Sequence, residues 1–245
     1  MFDLTGKVAL VTGAGQGMGL GIARALARQG AAVAVNDIVS ERATAAAAKM
    51  DGARVIAAPG DVTAPDDRAS MFETVRAAFG AVDILVNNAG VITGGMPIRK
   101  FETLDEADFR AQIDLNYLAV AGMTRLALPH MRAARWGRII NITSESWRLG
   151  LDFGLTHYAS AKAAMVGFTR MASREFGPDG VTINAISLGT MNNFDDFSGI
   201  AERSTAVGRA GTPDDVGALA VYLASVEASW ITGQVIALNG GSNVS

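Results

Sequence analysis

Apolar and polar positions alternate along this chain in two rhythms. Short apolar runs rich in Val, Ile and Ala recur at residues 7–12, 31–36, 54–58, 83–87, 138–143, 181–186 and 234–238. Runs of this length without period-two alternation read as strands buried on both faces. Between them lie stretches with helical spacing, at residues 17–30, 40–50, 65–80, 104–134 and 157–176, and from 213 onward. Their expected start signals are Ser40, Pro65 in a first turn, Thr103 with Glu106 as a capping box, and Thr212. Strand–helix alternation repeated this often predicts an α/β architecture, a doubly wound parallel sheet of about seven strands with helices on both faces. No linker, composition shift or low-complexity tract divides the chain, so one domain is expected over residues 1–245.

Composition narrows the functional classes. With 245 residues and 49% hydrophobic content the chain can bury one large core. A net charge of -3 without a basic block argues against nucleic acid as a partner. The absence of cysteine excludes disulfides, thiolate metal sites and a cysteine nucleophile. No Asp/Glu/His cluster has metal-ligand spacing, so no metal is expected. The first residues lack a basic stretch followed by an apolar core, and no apolar run is long enough to span a bilayer; a cytoplasmic protein is expected.

Candidate chemistry gathers in residues 137–167. A buried strand ends at the hydroxyl of Ser144, a Gly-bearing loop follows, and then comes an Ala-rich helix. On that helix Tyr158 and Lys162 stand four apart, one turn from each other on one face. A phenol with a pKa of about 10 is poorly matched to proton transfer near neutrality. A cation about 4 Å away contributes roughly 4 kcal/mol at an effective dielectric of 20, equivalent to roughly three pKa units. Lys162 is that candidate cation, and Ser144 can hold an oxygen whose charge changes during reaction. An amphipathic helix with a surface Tyr and Lys is the plainer alternative.

The first strand–helix turn carries Gly13, Gly17 and Gly19 in the spacing G-x-x-x-G-x-G, with Gln16 and Met18 between them. Glycine lets backbone approach a phosphate closely, and a helix N-terminus favours an anion. A tight connection alone would use the same residues. Asp37 ends the second strand about 20 residues on, where an acid accepts hydrogen bonds from ribose hydroxyls and repels a 2′-phosphate. No Arg or Lys lies among residues 14–18 or 36–39, and Arg42, the nearest base after Asp37, is expected on a solvated helix face. NAD rather than NADP is the expected cofactor.

These motifs, with Asp61-Val62 after the third strand, Asn87-Asn88-Ala89-Gly90 after the fourth, Asn116 and Tyr158-Ala159-Ser160-Ala161-Lys162, resemble in order and spacing those of the short-chain dehydrogenase/reductase family. The segments 208–216 and 231–234 are similar to it as well, so the likeness spans almost the whole chain. It implies a Rossmann-type fold and a carbonyl/alcohol oxidoreductase. In that reading Tyr158 is general acid or base, Lys162 holds the nicotinamide ribose and depresses the Tyr158 pKa, and Ser144 bonds the substrate oxygen. Asn116 anchors a relay water, Asp61 and Val62 contact adenine, and Asn88, Ala89 and Gly90 line the cofactor cleft. Gly189, Met191 and Asn193 fall where the nicotinamide is met. Three positions depart from the family pattern: Leu188-Gly189 stands for Pro-Gly, Asn193 for a common Thr, and the Ser144–Tyr158 interval is one residue longer.

Loops at residues 91–99, 145–157 and 190–208 are expected to enclose the substrate. Their large apolar members are Met96, Trp147, Leu149, Phe153, Met191, Phe194 and Phe197, which point to a medium-sized hydrophobic or cyclic secondary alcohol or ketone, or else simply pack the loops down. Asp195 and Asp196 argue against a strongly anionic substrate. The competing readings are an NADP-dependent 3-oxoacyl-thioester reductase, disfavoured by Asp37 and Gln16, and a non-catalytic dinucleotide-binding protein, disfavoured by the intact Ser144, Tyr158 and Lys162. An enoyl reductase would space its Tyr and Lys more widely. His130 and His157 are left out of the mechanism. By analogy with the family, the 158–176 helix pairs across a two-fold axis in a homo-oligomer, a tetramer or dimer.

Overall fold

The computed structural model describes residues 1–50, 53–91, 98–150, 152–192 and 198–244. Seven parallel strands form one sheet: β1 (Val8–Val11), β2 (Ala32–Val35), β3 (Val55–Ala57), β4 (Ile84–Asn87), β5 (Gly137–Ser144), β6 (Val181–Leu188) and β7 (Val235–Leu238). Their order is β3-β2-β1-β4-β5-β6-β7. The chain reverses its direction of travel across the sheet between β1 and β4, and a crevice opens there at the strands' carboxyl ends. The helices are α1 (Gly17–Arg28), α2 (Ser40–Ala48), α3 (Pro65–Phe79), α4 (Glu106–Ile113), α5 (Ala119–Ala133), α6 (Thr156–Phe176), α7 (Ser198–Ser204) and α8 (Pro213–Ala224).

Successive strand residues feed opposite faces, and two cores result. Ala9, Val11, Val33, Val35, Ile84, Val86, Ile140 and Ile142 pack against Met18, Ile22 and Leu26 of α1 and Val216, Ala220 and Leu223 of α8. Val8, Leu10, Leu85, Ile139, Val181 and Ile183 face Met71 and Val75 of α3, Met123 and Ala127 of α5, and Phe176 of α6. Each fully buried Leu, Ile or Val stabilises the fold by about 1.5–3 kcal/mol over its exposed state, which explains why unbroken apolar runs formed the inner strands.

Several start signals lie elsewhere than expected. Ser40 is the first residue of α2, whose N-cap is Val39; the Asp37 carboxylate accepts the Val39 N–H instead. The 104–134 pattern is two helices, and its capping box is Asp105 with Asp108 rather than Thr103 with Glu106. Thr103 closes a 3-10 turn, Phe101–Thr103, and Leu104 is extended, so the helix cannot begin before Asp105. Asp114–Leu118 is a π-turn joining α4 to α5. Thr212 caps α8 as expected, in a box with Asp215. The short helix α7 lies inside the segment expected to be loop. Among the described residues no helix is long and apolar enough to cross a membrane.

Candidate active site

The crevice beside the β1–β4 crossover holds a cavity of about 1340 Å³, larger than an ordinary small-molecule pocket. Its wall includes Gly13, Gln16, Gly17, Met18, Gly19, Asp37, Asp61, Val62, Asn88, Ala89, Gly90, Ser144, Tyr158, Lys162, Gly189 and Met191. The fold thus brings together residues spread over 178 positions. Asn193 lies outside the described residues, as do Met96, Phe194, Phe197, Asp195 and Asp196.

One end is built on the glycine turn. Gly13 and Gly17 take positive φ, +59° and +56°. The Asn88 amide donates to the carbonyls of Thr12 and Gly13 at 2.9 and 3.0 Å, and the Thr12 hydroxyl accepts the N–H groups of Asn88 and Ala89. A Cβ at Gly19 would collide with the Gly13 carbonyl. Gln16, the N-cap of α1, makes no side-chain bond to the helix, and the first turn carries no acid. Its N–H groups therefore remain available to an anion, and the residues fit the pyrophosphate of a dinucleotide.

Asp37 is 3% exposed at the tip of β2. Its Oδ1 accepts the Val39 N–H at 3.0 Å and the Arg42 Nε and Nη2 at 3.0 and 2.6 Å. Arg42 thus does not sit on a solvated face: the five-residue reach from strand tip to first helical turn lets its guanidinium fold back on the carboxylate. Oδ2 faces the glycine turn, where a Cβ at Gly15 would lie 2.5 Å from it. Asn36, unforeseen, ties this corner to β3 through Ala58 and Gly60, each at 3.0 Å. A buried amide next to Asp37 in an otherwise apolar run was the available signal.

At the other end, Ser144 closes β5 and Tyr158 and Lys162 project from α6 into the cavity. Ser144 is a hydrogen-bonding neighbour of the Tyr158 phenol and favours its phenolate. Burial pushes the phenol up to about 12, against the lowering effect of that bond, and pushes Lys162 down to about 7. Lys162 Nζ stands 5.7 Å from the Tyr158 ring centroid and donates to the Ile142 carbonyl at 2.8 Å. Burial thus leaves Tyr158 a protonated acid at neutral pH.

Asn116 lies off the cavity wall, fully buried in the π-turn. Its Nδ2 donates to Gln112 at 2.9 Å, and its Oδ1 has no partner. A Cβ at Gly90 would lie 2.5 Å from Lys162 Nζ and 2.9 Å from Asn116 Oδ1, so glycine alone leaves these two polar groups room to share a neighbour. An orphaned acceptor beside a buried amine suits a bridging water. Leu149, Phe153 and Met191 line the cavity as expected, joined by Ile98, Ala111, Leu115 and Leu155. Trp147 does not: its ring packs 5.6 Å from the Arg170 guanidinium. His130 bonds Asp83 at 3.2 Å, and His157 is buried against Phe109 outside the cavity.

The buried amine has a thermodynamic signature. Between pH 7 and the ordinary lysine value the unfolded chain binds a proton that the folded chain does not, so this group makes stability rise with pH across that window. Lys162→Met, of similar volume, is expected to melt about 2–4 °C above the parent at pH 7.5, with the gap narrowing by pH 9.5. Thermal melts of both proteins at the two pH values check this; a gap that widens with pH would contradict it.

Comparisons with known proteins agree with this geometry. Residues 13–243 match the family model described as Enoyl-(Acyl carrier protein) reductase. The chain is 37% identical over 246 residues to the (2S)-[(R)-hydroxy(phenyl)methyl]succinyl-CoA dehydrogenase subunit BbsD of Thauera aromatica, covering 97% of this chain and 98% of that one. It is 34% identical over 245 residues to the 3-oxoacyl-[acyl-carrier-protein] reductase FabG of Vibrio harveyi, covering 98% of each. A short-chain type dehydrogenase/reductase from Mycobacterium marinum superposes with a TM-score of 0.92 at 30% identity, over 100% of this chain and 98% of that one. The chain belongs to the short-chain dehydrogenase/reductase family of oxidoreductases, which use a nicotinamide dinucleotide.

Proposed function

We propose that this protein is an NAD(H)-dependent oxidoreductase interconverting a medium-sized, hydrophobic or cyclic secondary alcohol and its ketone. The observation that carries the reading is the convergence of Ser144, Tyr158 and Lys162 on the cavity whose far end is formed by the glycine turn and Asp37. When bound, the dinucleotide supplies or accepts the hydride at the substrate carbon. Ser144 donates a hydrogen bond to the substrate oxygen. Tyr158 gives that oxygen a proton during ketone reduction and takes one during alcohol oxidation. Lys162 holds the nicotinamide ribose, and its positive charge, restored by those contacts, steadies the Tyr158 phenolate. Asn116 Oδ1 holds the water through which Tyr158 regains its proton. Asp61 and Val62 would hold the adenine, and Asn88, Ala89, Gly90, Gly189 and Met191 the rest of the cofactor.

Asp37 supports NAD: its Oδ2 is poised for a ribose hydroxyl, and a 2′-phosphate would meet a carboxylate. The four-residue Tyr158–Lys162 spacing speaks against enoyl reduction despite the wording of the family description. The apolar wall of Ile98, Leu115, Leu149, Phe153 and Leu155 supports a hydrophobic substrate. Exposed Leu118, Leu126 and Met171, on the π-turn, α5 and α6, support a homo-oligomer, a tetramer or dimer, and a cytoplasmic location is proposed with it. The test is a panel of aliphatic, aromatic and steroid-like ketones assayed with NADH and NADPH. Turnover of bulky neutral ketones with kcat/KM higher for NADH is expected; activity only on small charged keto acids, or a preference for NADPH, overturns the substrate or cofactor assignment respectively.

A further inference from the structure

Behind Ser144 lies a second hydroxyl with no assigned role. Ser146 is 8% exposed, lines the same cavity, and belongs to the 3-10 turn Glu145–Trp147 that follows β5. Its Oγ donates to Ser144 Oγ at 3.0 Å, and its backbone N–H donates to the same atom at 3.3 Å. A serine hydroxyl has two acceptor sites and one proton. With both acceptor sites of Ser144 filled from Ser146, the Ser144 proton has one direction left, outward to Tyr158 and the substrate oxygen.

The turn is held rigidly in this pose. The Glu145 carboxylate accepts Ser187 Oγ on β6 at 2.6 Å, Asn239 Nδ2 beyond β7 at 2.8 Å and Arg148 Nη2 at 2.6 Å. Three groups from separate parts of the chain so pin the residue between the two serines. Ser146 carries none of these ties, and removing its hydroxyl leaves them intact.

We infer that Ser146 is a positioning residue that makes Ser144 an obligate hydrogen-bond donor to the substrate oxygen. The inference rests on the oxidoreductase reading above. A free hydroxyl rotor would spend part of its time accepting from Tyr158, which leaves the developing charge on the substrate oxygen unsupported. Ser146 removes that alternative before substrate arrives. Before substrate binds, the same proton points toward Tyr158, the direction that favours its phenolate.

The experiment compares Ser146→Ala, Ser146→Thr and the parent on acetophenone with NADH and on 1-phenylethanol with NAD, across pH 6–10, with thermal melts of all three. Ser146→Ala is expected to lose about tenfold in kcat, the size of one aligned hydrogen bond, with KM for NADH unchanged and the melting temperature within two degrees or so. The rising limb of alcohol oxidation shifts upward by about half a pH unit, because the Tyr158 phenolate loses a committed donor. Ser146→Thr keeps the hydroxyl and restores both. The charged groups lining the cavity on the elements around Tyr158 are Lys162, Glu145 and Asp114, and none is altered. An alanine variant with parental kcat and pH profile, or a threonine variant equally impaired, overturns the inference while the oxidoreductase reading stands. Should Ser146→Ala fail to fold, Ser146→Cys, near in shape but a weak donor, takes its place with the same expectations. A parent that turns over neither this pair nor the wider panel overturns the reading and the inference together.

Discussion

Tyr158→Phe lowers kcat for ketone reduction by about a thousandfold, within the range that a positioned general acid contributes. The phenol is the proton donor best placed in the cavity, and burial keeps it protonated far above neutrality. Lys162 donates to the Ile142 carbonyl and is reserved for the ribose, and Ser144, a hydroxyl, can donate a hydrogen bond but does not release a proton. Phenylalanine keeps the ring and its packing, so the affinity for NADH, measured by fluorescence titration, stays within about twofold of the parent. That split separates chemistry from binding. A variant that retains even a tenth of parental turnover would require another acid and would discard the mechanism.

Asp37→Ala moves cofactor preference by about a hundredfold. The free Oδ2 is the atom that a ribose hydroxyl can reach, and a hydrogen bond to a charged group is worth about 1.5–3 kcal/mol. Losing it lowers kcat/KM for NAD by roughly 10- to 100-fold. The same substitution frees the Arg42 guanidinium, now held at 2.6 Å by Asp37 Oδ1, to meet a 2′-phosphate. NADP should therefore gain as NAD loses. Steady-state kcat/KM for both dinucleotides gives the ratio; a ratio shifted less than tenfold would mean that Asp37 does not read the ribose.

The contrast between these residues shows what a sequence can disclose. Asp37 was legible because a carboxylate at the end of an apolar run, at a set distance from a glycine turn, has few other uses. Arg42 was not: nothing in its spacing says that a five-residue connection folds its side chain back onto the strand tip. The five inner strands were legible because they sit between two layers of helices, so both faces select apolar side chains, and the edge strands β3 and β7 were short apolar runs in step with them. The π-turn at Asn116 was hidden, since one extra residue inside a long helical pattern barely disturbs its periodicity. Asp105 displaced Thr103 as the cap because the backbone of Leu104 is extended, a tertiary outcome that local preference does not foretell. Ser144, Tyr158 and Lys162 were found through their order and spacing, whereas the Lys162–Ile142 bond depends on the height of a carbonyl relative to a helix.

The tie between Glu145 and Asn239 reaches across 94 positions, from the turn beside Ser144 to the far edge of the sheet. The turn that follows β5 therefore settles into its final pose only once the residues beyond β7 have docked against it.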